Sequence, residues 1–568
     1  MFRIPLRNRV RSVIGKPVRS MMLRARDRFV ETARLRCQET QQQTLARLLR
    51  LNSDSDFSRR FQLNHFRTVA DFQQRLPIAD FDFFAPYIQQ LQTGNHQALL
   101  GRRNRLLMFA ITSGTTSASK SIPVTNHFLN DYRRGWQHWG ITTQQQHPQL
   151  QHLRIVQLAS SHRSSLAPDG TPCGSISGLV TSMQKFIVRR MYSVPSVVPG
   201  LQNPTAKRYA AVRFAYADPW VGMLVTANPS TLLQLSNFAD LHAENLIRDI
   251  HDGTIGTAEL SRSEVEQLSK FLQADPIRAA ELERIVAENG SLEPRKCWKH
   301  LTCLAVWTGG SVKAYLPELR KRFGGLPLRD HGLHASEGRM TIPLEPDSAS
   351  GVLDIESHFF EFVPDGIPVS DSTQTMLAHE LCVGQDYNIL MTTSSGLYRY
   401  NIRDIVRCTG FLGTTPLLEF LHKGSHISSI TGEKISESQV VESVAAAMVE
   451  LGQELRQFTL TPEWASPPRY RLFIETDAKA ELTAERLIRI SERVDHELRL
   501  RNTEYDEKRR SERLGGIECE CLSPCDWQQW TSSRIAGSGG TPEQYKHPCL
   551  LPDPEFRGVF RKFLPPNH

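Results

Sequence analysis

The run Thr112-Ser113-Gly114-Thr115-Thr116-Ser117-Ala118-Ser119-Lys120 packs hydroxyl and backbone N–H donors into a short loop and ends it with a cation. Such a loop can wrap phosphate oxygens, with lysine adding a charge-assisted contact. Two nucleotide-loop patterns compete for it. The Walker A pattern, G-x-x-x-x-G-K-[ST], fits Gly114 to Ser121 except that Ser119 stands at the second glycine. The pattern S-G-T-T-x-x-x-K fits Ser113 to Lys120 at every position. Taken alone, the run also reads as a plain Ser/Thr-rich turn.

Two acidic segments lie downstream. His334-Ala335-Ser336-Glu337-Gly338 follows a strand-like stretch and sets an acid beside a glycine. By itself it reads as a helix N-terminus, but a carboxylate there can ligate the Mg²⁺ that accompanies a nucleotide. Gly396-Leu397-Tyr398-Arg399-Tyr400-Asn401-Ile402-Arg403-Asp404 puts an Asp just after an aromatic strand. Asp404 can accept both hydroxyls of a ribose, although an isolated Arg-Asp pair is more often a surface ion pair. A serine hydrolase is excluded at the one near-match to GxSxG, because Gly174-Ser175-Ile176-Ser177-Gly178 has Ile at the nucleophile position. HExxH is absent.

The elements that must hold these residues follow from apolar periodicity. Residues 37–100 read as helices joined by short turns, with a break at Pro77. LLMFAITSGTTSASKSIPVT (106–125) is a strand, a hydroxyl-rich loop and a second strand, after which HFLNDYRRGWQHWG resumes as a helix capped by Thr125 or Asn126. Met223 to Ala227 reads as a buried strand, followed by a capped turn at Pro229-Ser230 and one long helix ending near Gly253. Further strands are expected within 303–310, 327–336, 358–364 and 386–400, and charged helices fill 258–290. Beyond Phe420 the units shorten: QFTLTP, YRLFIET and GIECECL as strands and ELTAERLIRISERVDHELRLRN as a long amphipathic helix.

The chain has 568 residues and a formal net charge of +8, but the charge is local. Residues 1–36 carry eleven Lys or Arg against two Asp or Glu, a balance of +9, so the rest sums to −1. A near-neutral body argues against a nucleic-acid-binding protein. It leaves the arm as a solvated or loosely docked helix, with weak membrane-surface contact as the minority use. No run approaches the roughly 20 apolar residues of a membrane span, and the arginine-broken start is no secretory signal, so a cytoplasmic protein is expected. The ten cysteines form no CxxC pair, and Cys519, Cys521 and Cys525 lack zinc-ribbon spacing, so they read as reduced structural thiols.

In their order and separations the three chemical segments resemble those of the plant auxin-responsive amido synthetases and their bacterial relatives, the Gretchen Hagen-three family of adenylate-forming ligases. The likeness extends from TLARLLRLNSDSDF and DFQQRLPI through NPSTLLQL, TGGSVKAYLPEL, GLYRYNIRDIVRCTGF and LEFLHKGSHISSITGEKISESQV to GGTPEQYKHP. It implies an α/β fold: a basic arm (1–36), a large ATP- and acyl-binding domain of β-sheets and packed helices (37–421), and a small, mobile α+β C-terminal domain (422–568) with a hinge near His422–Ser425.

The resemblance also assigns residues. Ser113, Gly114, Thr115, Thr116 and Lys120 match the phosphate loop, and Gly309 and Gly310 a turn along the adenosine. Glu337 matches the metal- and phosphate-side acid, Asp404 the ribose acid and Lys434 a nucleotide-facing lysine. Lys546 matches a C-terminal lysine that enters the site during adenylation. The implied cofactors are ATP and Mg²⁺; the implied partners are a carboxylic acid, activated as its acyl-AMP, and an amine such as an amino acid. Thioester formation on coenzyme A remains the alternative second step. Two positions depart from the family pattern: Leu333 stands where relatives place an adenine-stacking Tyr, and Arg403 replaces the usual Gly before Asp404. The acyl pocket is expected to be lined from roughly 150–300.

Overall fold

The structure is a computed structural model. It describes residues 6–112, 120–158, 161–183, 186–256, 260–424, 427–431, 433, 435–453, 455, 457–475, 483–510, 513–538 and 547–552.

A four-stranded parallel sheet runs in the order Arg154–Gln157, Val221–Val225, Cys303–Ala305, Leu328–Arg329. Its second strand, VGMLV, is buried along its whole length, as expected where helices cover both faces of a parallel sheet. In the helix Pro204–Ala217 every residue from Tyr209 to Tyr216 is buried, Arg213 included, and Asn203 caps it by accepting from Thr205 N and Ala206 N at 2.8 and 3.0 Å. The helix expected to run unbroken to Gly253 is two, Pro229–Leu241 and Ala243–Asp252, parted at His242. Gly253 closes the second with φ +72°.

Beside this lies a seven-stranded antiparallel sheet: Thr341–Ile342, Gly351–Leu353, Thr415–Lys423, Tyr400–Leu412, Asp386–Thr392, Phe359–Pro364 and Met376–Leu377, in that spatial order. A third sheet pairs Leu106–Thr112 with Lys120–Thr125, and Thr125 caps the following helix Asn126–Gln146 by accepting from Phe128 N at 3.2 Å. The small C-terminal sheet joins Phe458–Glu463, Arg469–Glu475 and Glu518–Leu522. It builds its own apolar core from Ile435 to Leu550, with the helices Glu437–Leu451 and Ala484–Arg501 packed against each other. Among the described residues no helix is long and apolar enough to cross a membrane.

The N-terminal arm is more firmly seated than its charge suggests. It forms the helices Leu6–Ile14 and Lys16–Leu35, and the second lies along Asn126–Gln146. Phe29 is buried and stacks on His138 with ring centroids 5.0 Å apart, while Arg26 donates to Thr142 Oγ1 and Gln145 Oε1. Apolar burial at Phe29 and Ala33, which charge counting does not register, anchors it.

Candidate active site

The strand Tyr400–Leu412 and its neighbour Thr415–Lys423 form a hairpin in which Asp404 lies directly opposite Lys423. Asp404 is thus inside the strand, not beyond its end. Its Oδ1 accepts from Lys423 Nζ at 2.5 Å, with Asp404 buried and Lys423 half-buried. Burial pulls the Lys423 ammonium down, but the carboxylates of Asp404 and Glu337 outweigh this and hold it above its ordinary range.

Glu337 reaches the same place from another element. His334–Ala335 and Gly338–Arg339 pair as a short antiparallel hairpin, so Ser336 and Glu337 form its two-residue turn instead of a helix N-terminus. Buried there, Glu337 accepts one long hydrogen bond, 3.4 Å from Tyr400 OH. Burial pushes its carboxyl up; Lys423 pulls it down, Asp404 pushes it further up, and Lys120 pulls it down. Lys120 opens the strand Lys120–Thr125, with Nζ 5.3 Å from the centre of the Phe81 ring. Two carboxylates and two ammonium groups from three chain segments therefore act on one another, the carboxylates buried and the two lysines part-exposed. This is the kind of place where a polyanion can be held and polarised.

The turn at Gly309-Gly310 lies against this hairpin. Gly310 has φ +63°, and a Cβ there would meet Phe420 ring carbons at 2.8–2.9 Å and Leu421 O at 3.0 Å. Only glycine allows both the conformation and the approach to the strand that ends in Lys423. Asp330 ties this turn to the Glu337 hairpin: its Oδ2 accepts from Thr308 N and Oγ1 at 2.5 and 2.6 Å, and its Oδ1 from Gly332 N at 2.6 Å. Burial raises the Asp330 carboxyl to about 6, against these hydrogen bonds. Asp330, Lys423 and Tyr400 escaped the motif reading. For Lys423 a signal existed, because counting outward from the Leu412–Thr415 hairpin end puts it opposite Asp404, the two bulges between offsetting each other.

Both departures from the family pattern have structural consequences. Leu333 is buried in the main core, with its N–H donating to Thr341 Oγ1 at 2.8 Å and its carbonyl accepting from Met340 N at 2.8 Å. Arg403 holds a left-handed backbone, φ +60°, as a glycine readily would. Its carbonyl accepts from Gly424 N at 2.7 Å and its exposed guanidinium pairs with Asp80 at 2.7 Å. Arg403→Gly is therefore expected to be more stable than Arg403→Ala by about 1 kcal/mol, the reverse of the usual order, since both lose the ion pair and only one relieves the φ. Urea midpoints of the two variants check this; an Ala variant as stable as the Gly variant removes the strain.

Of the remaining sequence candidates, Ser113, Gly114, Thr115, Thr116, Lys434 and Lys546 lie outside the described residues, as does Ser425 of the expected hinge. Lys546 is followed at once by a buried anchor. His547 lies between the Trp527 and Trp530 rings with Nε2 2.9 Å from Phe458 O.

Comparison with known proteins completes the picture. The GH3 family N-terminal domain matches residues 26–328, the GH3 family central domain 351–423 and the GH3 family C-terminal domain 438–555. An indole-3-acetic acid-amido synthetase of Arabidopsis thaliana is 24% identical over 443 residues, covering 75% of this chain and 74% of its own. A jasmonoyl–L-amino acid synthetase of Oryza sativa subsp. japonica is 23% identical over 542 residues, covering 90% and 92%. The solved structure of an acyl acid amido synthetase shares the fold, with a TM-score of 0.82 at 20% identity and 94% of each chain covered. With the family's three domains matched in order over most of its length, this chain belongs to the GH3 family.

Proposed function

We infer that this protein is an ATP-dependent acyl acid amido synthetase, which activates a carboxylic acid as its acyl-AMP and transfers the acyl group to an amine, most simply that of an amino acid. The observation that carries this reading is the convergence of Lys120, Glu337, Asp404 and Lys423, from separate elements, within a chain of this family. In the first step a carboxylate oxygen bonds to the α-phosphorus of ATP and the bond to pyrophosphate breaks. In the second, the amine nitrogen bonds to the acyl carbon, the C–O bond to AMP breaks and the amine loses a proton. Both partners of the first step are anions, so alignment and charge neutralisation are what the protein must supply.

In this reading Asp404 receives the ribose hydroxyls. Lys423 occupies only Oδ1, and an ionised carboxylate has lone pairs on both oxygens to spare. Lys120, with Ser113 to Thr116, holds phosphate oxygens, and Gly309 and Gly310 leave room along the adenosine. Lys434 and Lys546 come from the small domain, which we take to begin near His422 and to close differently in the two steps.

The residues also fit Mg²⁺. Among the described residues no group of three or more His, Cys, Asp or Glu could hold a metal ion, but Mg²⁺ commonly takes only one or two carboxylates, with phosphates and water completing the shell. Glu337, buried with a long 3.4 Å hydrogen bond from Tyr400 OH, is placed to offer a carboxylate oxygen. Mg²⁺ so held would neutralise phosphate charge.

The test is acid-dependent ATP–pyrophosphate exchange over a panel of carboxylic acids, followed by product analysis with an amino-acid mixture and with coenzyme A. Exchange with at least one acid and an amide product is expected. A thioester product instead would overturn the amine assignment. Lys120→Ala is expected to raise the apparent KM for ATP at least ~10-fold with at most a small loss of Tm, because Lys120 is half-buried at a strand end and its removal costs only the Phe81 ring contact and its attraction for Glu337. An unchanged KM in the folded variant removes Lys120 from the phosphate site.

A further inference from the structure

We propose that the outer face of the two N-terminal helices is a docking surface for an anionic lipid bilayer. Gly15 N bonds to Arg11 O and Arg19 N to Gly15 O, so Leu6–Ile14 runs on into Lys16–Leu35 almost as one helix. Over residues 8–12 this helix is mounted with polar side chains inward, and only farther along, at Phe29 and Ala33, does it bury apolar ones. Asn8 and Ser12 are buried, Ser12 Oγ donates to Gln151 Oε1 at 3.3 Å, and Arg11 donates to Leu153 O at 2.7 Å and Arg190 O at 3.0 Å. Helical periodicity puts Val10, Val13, Ile14 and Met21 on the side away from Asn8 and Ser12, and Val18 at the edge of that side, in line with Arg11. There they are 47–61% exposed.

An amphipathic helix on a folded body ordinarily does the reverse, burying its apolar side. Here, over residues 8–21, the body takes polar side chains and the apolar ones face outward, flanked and continued by exposed Lys16, Arg24 and Arg28, with exposed Asp27 and Glu31 among them. The stripe also lies outside the matched family domains, which begin at residue 26.

Charge complementarity selects the occupant. Residues 1–36 carry +9, so a second copy would bring like charge to like charge across the stripe. A nucleic acid would answer the cations but give Val13, Ile14 and Val18 nothing to bury against. An anionic bilayer answers both, since it takes apolar side chains at the acyl boundary while its headgroups meet Lys and Arg. The helix would lie in the interface, and none described is long and apolar enough to cross the membrane.

The experiment is co-sedimentation of the full chain with vesicles of phosphatidylcholine alone and of phosphatidylcholine with about one-third phosphatidylglycerol, at low and at ~0.5 M salt. Binding is expected to the anionic vesicles only, and to weaken in high salt. Val13→Ser/Ile14→Ser/Val18→Ser and Lys16→Glu/Arg24→Glu/Arg28→Glu should each lower the partition coefficient at least ~10-fold. All six side chains are exposed, so the serine variant should keep the wild-type Tm, while the glutamate variant, in which Arg28 no longer attracts Glu356, is compared on its folded fraction. Failure to bind anionic vesicles overturns the proposal, as does unchanged binding by the serine variant, which would leave only a diffuse attraction of charge. Analytical ultracentrifugation supplies a third arm, in which a dimer abolished by the serine substitutions would assign the stripe to a second copy and overturn the lipid assignment.

Discussion

Glu337→Gln is expected to lower acid-dependent pyrophosphate exchange roughly 100- to 1000-fold and yet, at neutral pH, to make the nucleotide-free protein more stable. The two effects have one cause. Burial pushes the Glu337 carboxyl above its ordinary range, Asp404 pushes the same way, and the attraction of Lys423 and Lys120 does not cancel them. A carboxyl whose folded value is raised binds its proton more tightly in the folded chain than in the unfolded one. Its contribution to stability is therefore present below its ordinary value of 4.5 and is lost as pH rises through the higher folded value. Above that window the ionised side chain is held at a cost, which a neutral amide of the same shape avoids. Tyr400 OH can still donate to the amide oxygen, so that hydroxyl keeps its acceptor. The same replacement removes the charge that would face Mg²⁺ and the phosphates. Thermal melts at pH 5 and pH 8 should show the wild type losing more stability between them than the variant. Near-normal exchange in a folded Glu337→Gln protein would detach this residue from the nucleotide, and a lowered Tm at pH 8 would mean that the ionised form is stabilised by its neighbours.

Much of this site could be read from local pattern. Thr125 caps its helix, Asn228 and Pro229 open theirs, and the strand Val221–Val225 is buried along its length, because each depends on a few neighbouring residues whose chemistry is unambiguous. The strand carrying Asp404 is not legible in the same way: 386–400 reads as one strand ending short of Asp404, but it holds the strand Asp386–Thr392, a turn and only the first residue of Tyr400–Leu412. What escaped depends on partners distant in sequence. Glu337 is the exception, a local misreading: an acid beside glycine suits a helix N-terminus, but Ala335 pairs with Gly338, three residues on, and makes it a hairpin turn. Asp330 had no motif around it, and its value lies in tying Thr308 to Gly332. The N-terminal arm was judged from charge alone, which hides that two apolar residues, Phe29 and Ala33, dock it while others face outward. The break at His242 is of a different kind, since the apolar spacing runs through it and no proline or glycine marks it.

Arg399→Ala is expected to cost about 3–5 kcal/mol of stability, the largest loss we expect from a single side chain near the site. Arg399 and Glu361 are both almost wholly buried, with NH2 3.0 Å from Oε1 and Nε 3.2 Å from each carboxylate oxygen. Arg399 NH1 also donates to the carbonyls of Gln73 and Leu76, each at 2.6 Å. One guanidinium thus pins the helix Val69–Arg75 and the chain following it to the strand Phe359–Pro364 of the large sheet. Removing it leaves a carboxylate and two carbonyls in the interior with fewer donors, though Thr375 Oγ1 still reaches Glu361 at 2.7 Å. The loss should be greater at pH 8 than at pH 5, where the stranded carboxyl can take up a proton. Glu361→Gln should cost less than Arg399→Ala, because the guanidinium keeps its two carbonyls and an amide oxygen remains to accept. The consequence reaches the nucleotide. Arg399, at φ +45°, leads directly into the strand that sets Asp404 opposite Lys423, so a loosened Arg399 lets that pair shift. Urea unfolding at the two pH values, with the apparent KM for ATP measured on the folded fraction, separates the parts of this argument. A loss equal at both pH values would mean that the carbonyl contacts dominate. A large loss with KM unchanged would make Arg399 a support of the sheet alone, with no hold on Asp404.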